Sequence, residues 1–312
     1  MDMWTAAITG AVAKLRPAVV HVSAQDHKEN TLTLGTGVVL DNYHIVSNAQ
    51  VVGQEDEITV TTADGKKYEG TCVGIDPLYF LAVVRVDGRL PTGSPVIADP
   101  DEIPAGQVCV AIGNAFGEHN VSTGVVSAPD RTIYRPERFA VDGLMITDAR
   151  IHPGNTGGPL GDLDGRWLGL NGVPWVHGLG LAVQAVVAAR VANQIIEYGQ
   201  ATHPWLGFSG DAEVVDQTIV QLLGLPVDRG LVVSYVADDG PGVRAGVQTM
   251  DMVVRAGDRP VSTVGAVRKI LSLHRPGEKV PLTVLRGMDL ITVEIKVEEI
   301  PRLYEANQGE PN

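Results

Sequence analysis

The chain has 312 residues, 44% of them hydrophobic, with 36 Gly, 19 Pro and a formal net charge of −13. That length predicts two domains, each able to bury a core, and the composition argues against disorder outside the termini. Both halves are acidic and no basic run interleaved with aromatics occurs, which argues against nucleic acid or anionic membrane as the main partner.

In chain order, Trp4, Ile8, Val12 and Leu15 recur at helical spacing and Pro17 closes the segment, predicting one helix into which Trp4 packs. Lys14, Arg16 and Pro17 interrupt the only early apolar run, so neither a signal peptide nor a membrane span is predicted. A cytoplasmic location is the resulting expectation. Short strands follow at Ala18–Ser23, Thr36–Leu40, Ile45–Ser47, Ile58–Thr62, Gly70–Ile75 and Leu81–Val86. A second set is predicted at Val108–Ile112, Ser122–Ser127, Leu144–Thr147, Leu168–Asn171 and Leu179–Ala182. Their division around residues 90–105 suggests two barrels or sandwiches. Val183, Val187, Val191 and Ile195 mark a helix ended by Gly199. A linker over Gln200–Pro204 leads to a second domain with strands at Leu231–Ala237, Met252–Arg255, Val280–Arg286 and Leu290–Val297. A helix is predicted near Thr263–Leu273. The predicted boundaries are 1–200, 201–301 and a flexible tail over 302–312.

Cys72 and Cys109 sit in strand-like runs and read as buried free thiols. No H-x₃-H or C-x₂-C spacing occurs, so no metal site is expected, and no phosphate loop or dinucleotide fingerprint calls for a cofactor.

The most informative stretch is Asp148-Ala-Arg-Ile-His-Pro-Gly-Asn-Thr-Gly-Gly-Pro-Leu-Gly161. Its glycines allow close backbone approach, and the N–H groups of Gly154, Asn155 and Thr156 are expected to form an oxyanion-type cradle. Thr156 offers a hydroxyl beside that cradle.

This segment resembles the nucleophile loop of the HtrA/Deg family of trypsin-like serine proteases, where serine stands at the position of Thr156. Gly35-Thr-Gly-Val-Val-Leu-Asp41, Ile112-Gly-Asn-Ala-Phe-Gly117 and Leu163-Asp-Gly-Arg-Trp-Leu-Gly-Leu-Asn171 resemble further family segments in the same order. The resemblance implies a mostly β chain: a trypsin-like double six-stranded β-barrel followed by a PDZ domain. Ser47-Asn-Ala-Gln-Val-Val52 matches the stretch around the family's catalytic histidine, with Gln50 in its place. Asp76-Pro-Leu-Tyr-Phe-Leu-Ala-Val-Val84 matches that around the catalytic aspartate, with Phe80 in its place. A glutamine amide cannot take a hydroxyl proton and a phenyl ring cannot orient a base, so these degenerate positions are expected to be inactive. His152 and His177 are the candidate replacement bases, although solvated loop histidines without a catalytic role are the blander reading.

Pro204-Trp-Leu-Gly-Phe-Ser209 and Pro241-Gly-Val-Arg-Ala-Gly-Val247 resemble a bacterial PDZ domain. The resemblance implies a peptide groove at Leu206, Gly207 and Phe208, with Ile270 on the facing helix. The expected function is that of an inactive HtrA-like pseudoprotease that binds or scaffolds polypeptides. Expected partners are polypeptide C-termini or unfolded segments, a homo-oligomer such as a trimer, or an active homologue. The alternative is an enzyme that reuses the cleft for a small molecule or acyl compound, or a weak Thr156-dependent hydrolase.

Overall fold

A computed structural model describes residues 2–26, 31–53, 57–114, 120–134, 140–174, 178–225, 227–262, 264–271 and 273–300. The candidate base His177 and the 302–312 tail lie outside these residues. Two compact units emerge, residues 1–132 with 141–201, and residues 202–312 with 133–140.

The first unit opens with α1 (Met3–Leu15), capped by the Asp2 side chain, which accepts the Thr5 N–H at 2.9 Å. Six strands follow: β1 (Val19–Asp26), β2 (Thr31–Val39), β3 (His44–Asn48), β4 (Glu57–Thr61), β5 (Lys67–Asp76) and β6 (Leu81–Val86), with the short helix α2 (Ala49–Val52) after β3. They close into a barrel in the order β1-β2-β3-β6-β5-β4. Its core is branched aliphatics, including Val20, Val22, Ile45, Val60 and Val84, each at or near zero exposure. The second barrel, ordered β10-β11-β12-β9-β8-β7, comprises β7 (Val108–Gly113), β8 (Asn120–Tyr134), β9 (Ala140–Thr147), β10 (Pro159–Asp162), β11 (Trp167–Pro174) and β12 (Gly180–Gln184). β10 has no run long enough to be predicted, and only its ladders to β7 and β11 make it a strand. Helix α3 (Ala185–Tyr198) buries Val187, Val191 and Ile195, and Gly199 at φ 77° ends it by donating its N–H to Ile195.

The N-terminal helix departs from expectation at one end. Ala11 and Leu15 are buried, and Leu15 fills the space beside Gly161, where a Cβ would come within 2.2 Å of its Cδ1. Trp4 does not pack into this seam: it is 56% exposed and Met3 82%. Helical spacing places Trp4 on the correct stripe, but the packed part of that stripe is Ile8, Ala11, Val12 and Leu15 against Val19, Val110 and Ile112. Cys109 is buried and Cys72 half-buried, and both are free thiols. Burial pushes the Cys109 thiol up to about 11, against a hydrogen bond with Thr147.

The second unit contains β13 (Pro204–Trp205), β14 (Phe208–Val214), α4 (Gln217–Leu223), β15 (Arg229–Val236), α5 (Pro241–Arg244), β16 (Met252–Ala256), β17 (Arg259–Pro260), α6 (Val264–Leu271), β18 (Lys279–Arg286), β19 (Asp289–Lys296) and β20 (Glu298–Glu299). Its main sheet runs β14-β15-β16-β18-β19, so β14 is an outer strand, and α6 lies against it. Strand β14 was not predicted because Phe208-Ser-Gly-Asp-Ala-Glu-Val lacks a continuous apolar alternation.

One ion pair locks this unit. Asp251, 1% exposed, receives Arg286 Nε at 2.7 Å and Nη2 at 2.8 Å, together with the Gln248 N–H at 2.9 Å. Burial alone would push the Asp251 carboxyl up. The guanidinium and the N–H donors outweigh that effect and hold it below the usual carboxylate range. A depressed folded-state value means the stabilisation is present above the unfolded carboxyl pKa and is lost as pH falls through the folded one. Replacing Arg286 by Met leaves the carboxylate buried and unpaired. The expected cost is about 2 kcal/mol, below the full range for buried pairs because Arg286 is 32% exposed. In urea denaturation the gap between wild type and Arg286→Met should shrink as pH is lowered below about 4. Equal stability at neutral pH would show that the pair contributes nothing.

Candidate functional site

The glycine stretch forms one 3₁₀ turn, Pro153–Asn155, followed by Thr156 in extended backbone. Gly157 at φ 81° allows the chain to press against the first barrel: a Cβ there would lie 2.2 Å from the Thr36 carbonyl oxygen and 2.9 Å from Asn48 N. At Gly158 a Cβ would lie 2.1 Å from the Ile112 carbonyl oxygen. The sequence demands glycine at both positions because backbone atoms of three strands occupy the space of a side chain.

Thr36, fully buried on β2, is the hub of this contact. Its N–H donates to the Thr156 carbonyl at 3.1 Å, and its hydroxyl donates to the Gly154 carbonyl at 2.9 Å. The same hydroxyl accepts the Asn114 N–H at 2.8 Å, and its own carbonyl accepts the Ser47 hydroxyl at 2.6 Å. Asn171, also fully buried, donates to the Asn155 and Pro159 carbonyls from beneath the loop. Sequence reasoning did not single out these two residues. The available signal was a polar side chain within an apolar strand run, Gly35-Thr-Gly and Gly169-Leu-Asn.

The three segments bearing Gln50, Phe80 and Thr156 meet at this place. Ala49 donates its N–H to the Phe80 carbonyl at 2.7 Å, and Asn48 pairs with Leu81 across β3 and β6. Asn48 in turn lies against Gly157. Gln50 is exposed, and its N–H is taken by the Asn48 side chain at 2.9 Å. Phe80 is half-buried with φ 54°, a left-handed backbone that aromatic residues rarely adopt and that surrounding contacts must impose.

The loop N–H groups do not point outward into an open cradle. Gly154 donates to His152 Nδ1 at 3.1 Å, while Asn155 and Thr156 donate to the His152 carbonyl at 2.9 and 3.2 Å. The Asn155 side chain closes the turn by accepting the His152 N–H at 2.9 Å. Thr156, 6% exposed, donates its hydroxyl to that same His152 carbonyl at 3.3 Å. His152 therefore meets Thr156 through its backbone, and its ring Nδ1 acts as an acceptor for Gly154.

In the second unit, Leu206 and Ile270 are core residues at 3% and 5% exposure rather than open groove walls. Gly207 at φ 75° turns the chain tightly against Pro241, where a Cβ would come within 2.7 Å of Cδ. Its carbonyl accepts the Ala237 N–H at 2.8 Å, and Phe208 remains half-buried at the start of β14.

Residues 35–170 match a trypsin-like peptidase domain and residues 212–297 a PDZ domain. The solved structure of the HtrA-type protease AlgW with tripeptide superposes with a TM-score of 0.69 at 30% identity, covering 94% of this chain and 97% of that one. This chain belongs to the HtrA family. A serine endoprotease from Yersinia pestis is also similar, with a TM-score of 0.62 and 27% identity over 94% of this chain and 98% of that one. Among curated relatives, a probable periplasmic serine endoprotease DegP-like from Halomonas elongata is 33% identical over 286 residues. That match covers 89% of this chain and 59% of the relative, so this HtrA-family chain spans less than two thirds of its length. The periplasmic serine endoprotease DegP of Salmonella typhimurium is 29% identical, with 87% and 58% covered.

Thr36 supplies the test of this loop-to-barrel contact. Thr36→Val keeps shape but strands the Gly154 carbonyl and the Asn114 N–H in a buried place, at an expected cost of about 2–4 kcal/mol. Thr36→Ser keeps both bonds and should cost less than about 1 kcal/mol. Equal unfolding midpoints for the two variants in guanidinium would show that the hydroxyl is not what holds the loop.

Proposed function

We propose that this HtrA-family chain is a non-proteolytic member that acts by binding polypeptide, with Gln50, Phe80 and Thr156 standing where the family's triad stands. One observation carries the reading: the Thr156 hydroxyl donates to a backbone carbonyl, and the N–H groups beside it are spent on His152. Acyl transfer requires a side-chain base within reach of the nucleophile and donors aimed at the developing oxyanion. Gln50 supplies an exposed amide and Phe80 an apolar ring, and neither can accept that proton. The names of the relatives, serine endoproteases, describe longer proteins than this chain.

Binding is assigned to the second unit. Strand β14 is an outer strand with α6 beside it, the arrangement in which an extended peptide adds to a sheet edge. Gly207 gives the preceding turn its left-handed bend, and loop amides can receive a terminal carboxylate without a charged side chain. With Leu206 and Ile270 committed to the core, Phe208 on β14 and Leu271 on α6, both half-buried, are apolar contacts that a ligand's last side chain can use.

Two experiments test this. Incubation with unfolded casein and a serine-directed phosphonate probe should give neither turnover nor labelling. Cleavage that vanishes in Thr156→Ala would establish a working hydrolase instead. Calorimetry with a peptide of apolar C-terminus should give micromolar affinity, about −8 kcal/mol, because ordering the peptide offsets much of the contact energy. Its amide-capped twin should bind at least about tenfold more weakly. Equal affinity for both would show that the carboxylate is not recognised.

A further inference from the structure

A groove of ≈ 760 Å³ lies on the outer face of the first barrel, lined by residues of β3, β5, β6 and α3. It shares no residue with the glycine loop. Strand register builds its floor: His44 pairs with Arg85 across β3 and β6, and Thr71 pairs with Arg85 across β6 and β5. Directly opposed residues on neighbouring strands hold their side chains about 5 Å apart on one face. The result is a row, His44–Arg85–Thr71, with Arg85 on the middle strand.

Two features mark the row as more than a solvated barrel surface. Asp41 fixes His44: its carboxylate accepts the Tyr43 and His44 N–H groups at 2.7 and 2.8 Å and contacts His44 Nδ1 at 2.9 and 3.0 Å. That contact leaves Nε2 as the ring's other polar atom, on a side chain only 16% exposed. Arg85, by contrast, makes no ion pair or side-chain hydrogen bond among the described residues, although Glu69 and Asp87 line the same groove. The Asp87 carboxylate is turned to the Glu69 N–H at 3.1 Å instead. A guanidinium without a partner among the described residues, sharing its groove with two carboxylates on a chain of net charge −13, is an uncompleted arrangement.

We propose that this groove binds a small amphoteric carboxylate of the free apolar amino acid class. Its carboxylate would take the guanidinium fork of Arg85 in two parallel hydrogen bonds, the geometry for which arginine is suited. Its ammonium would lie between Glu69 and Asp87, and its apolar body against Val73 and Ile196. The flanking carboxylates disfavour a multiply charged anion such as phosphate, which places like charges together. The volume is that of a small-molecule cleft.

Titration calorimetry of the whole chain with L-valine, L-leucine and L-phenylalanine tests the proposal. At least one should bind saturably with a dissociation constant of about 0.1 mM, near −5.5 kcal/mol. For leucine, leucinamide lacks the carboxylate and 4-methylpentanoate lacks the ammonium, and each should bind at least about tenfold more weakly. Arg85→Gln should abolish amino acid binding, while Asp87→Asn should weaken leucine and leave 4-methylpentanoate unchanged. Thermal unfolding at the wild-type midpoint shows that the exposed Arg85→Gln variant is folded, and Arg85→Lys provides a second variant that keeps the charge without the fork. The proposal is overturned by absence of saturable amino acid binding. It is equally overturned by binding that survives Arg85→Gln, which locates the ligand elsewhere, or by tighter binding of inorganic phosphate.

Discussion

The double barrel depends on one close approach of backbone to backbone. The glycine loop of the second barrel reaches the first closely enough that Gly157 and Gly158 leave no room for a Cβ. Thr36 converts that proximity into hydrogen bonds, joining the loop, β2 and the start of the segment after β7 through one fully buried side chain. Buried polar groups are tolerated only when partnered, so this hydroxyl and its neighbours make the loop position a cooperative property of both barrels.

The same constraint decides the loop's chemistry. A glycine turn pressed into place has its amides available for either a ligand or its own backbone. Here the His152 carbonyl and Nδ1 receive all three N–H groups. Thr156 is buried with them and turns its hydroxyl the same way. An amide network satisfied internally is costly to open for an incoming oxyanion.

The two units manage strand edges differently. Both barrels close, which removes exposed ladders. The second unit's main sheet is open, with β14 as an outer strand, and the Asp251–Arg286 pair ties the residue before its central strand β16 to the end of β18. An open edge is a liability in a scaffold and an asset in a peptide binder, and this unit has one in β14, with α6 beside it.

Much of this was legible in the sequence. Alternating and continuous runs of Val, Ile and Leu marked nearly every barrel strand, because a branched side chain suits a pleated, buried surface. Collinear glycine motifs pointed to the family, and Gln50, Phe80 and Thr156 stood out because chemistry requires particular groups at those positions. Strands β10 and β14 were not legible: four residues, or a strand broken by glycine and acid, are extended only because neighbours pair with them. The exposure of Trp4 depended on which turns of the helix find a neighbour to pack against, which helical periodicity does not encode. The direction of the loop amides depended on His152 folding back onto its own turn. The row His44–Arg85–Thr71 arose from register between strands distant in sequence. Local propensity and apolar pattern are written residue by residue, whereas pairing partners and the destination of each N–H are settled only when the chain closes on itself.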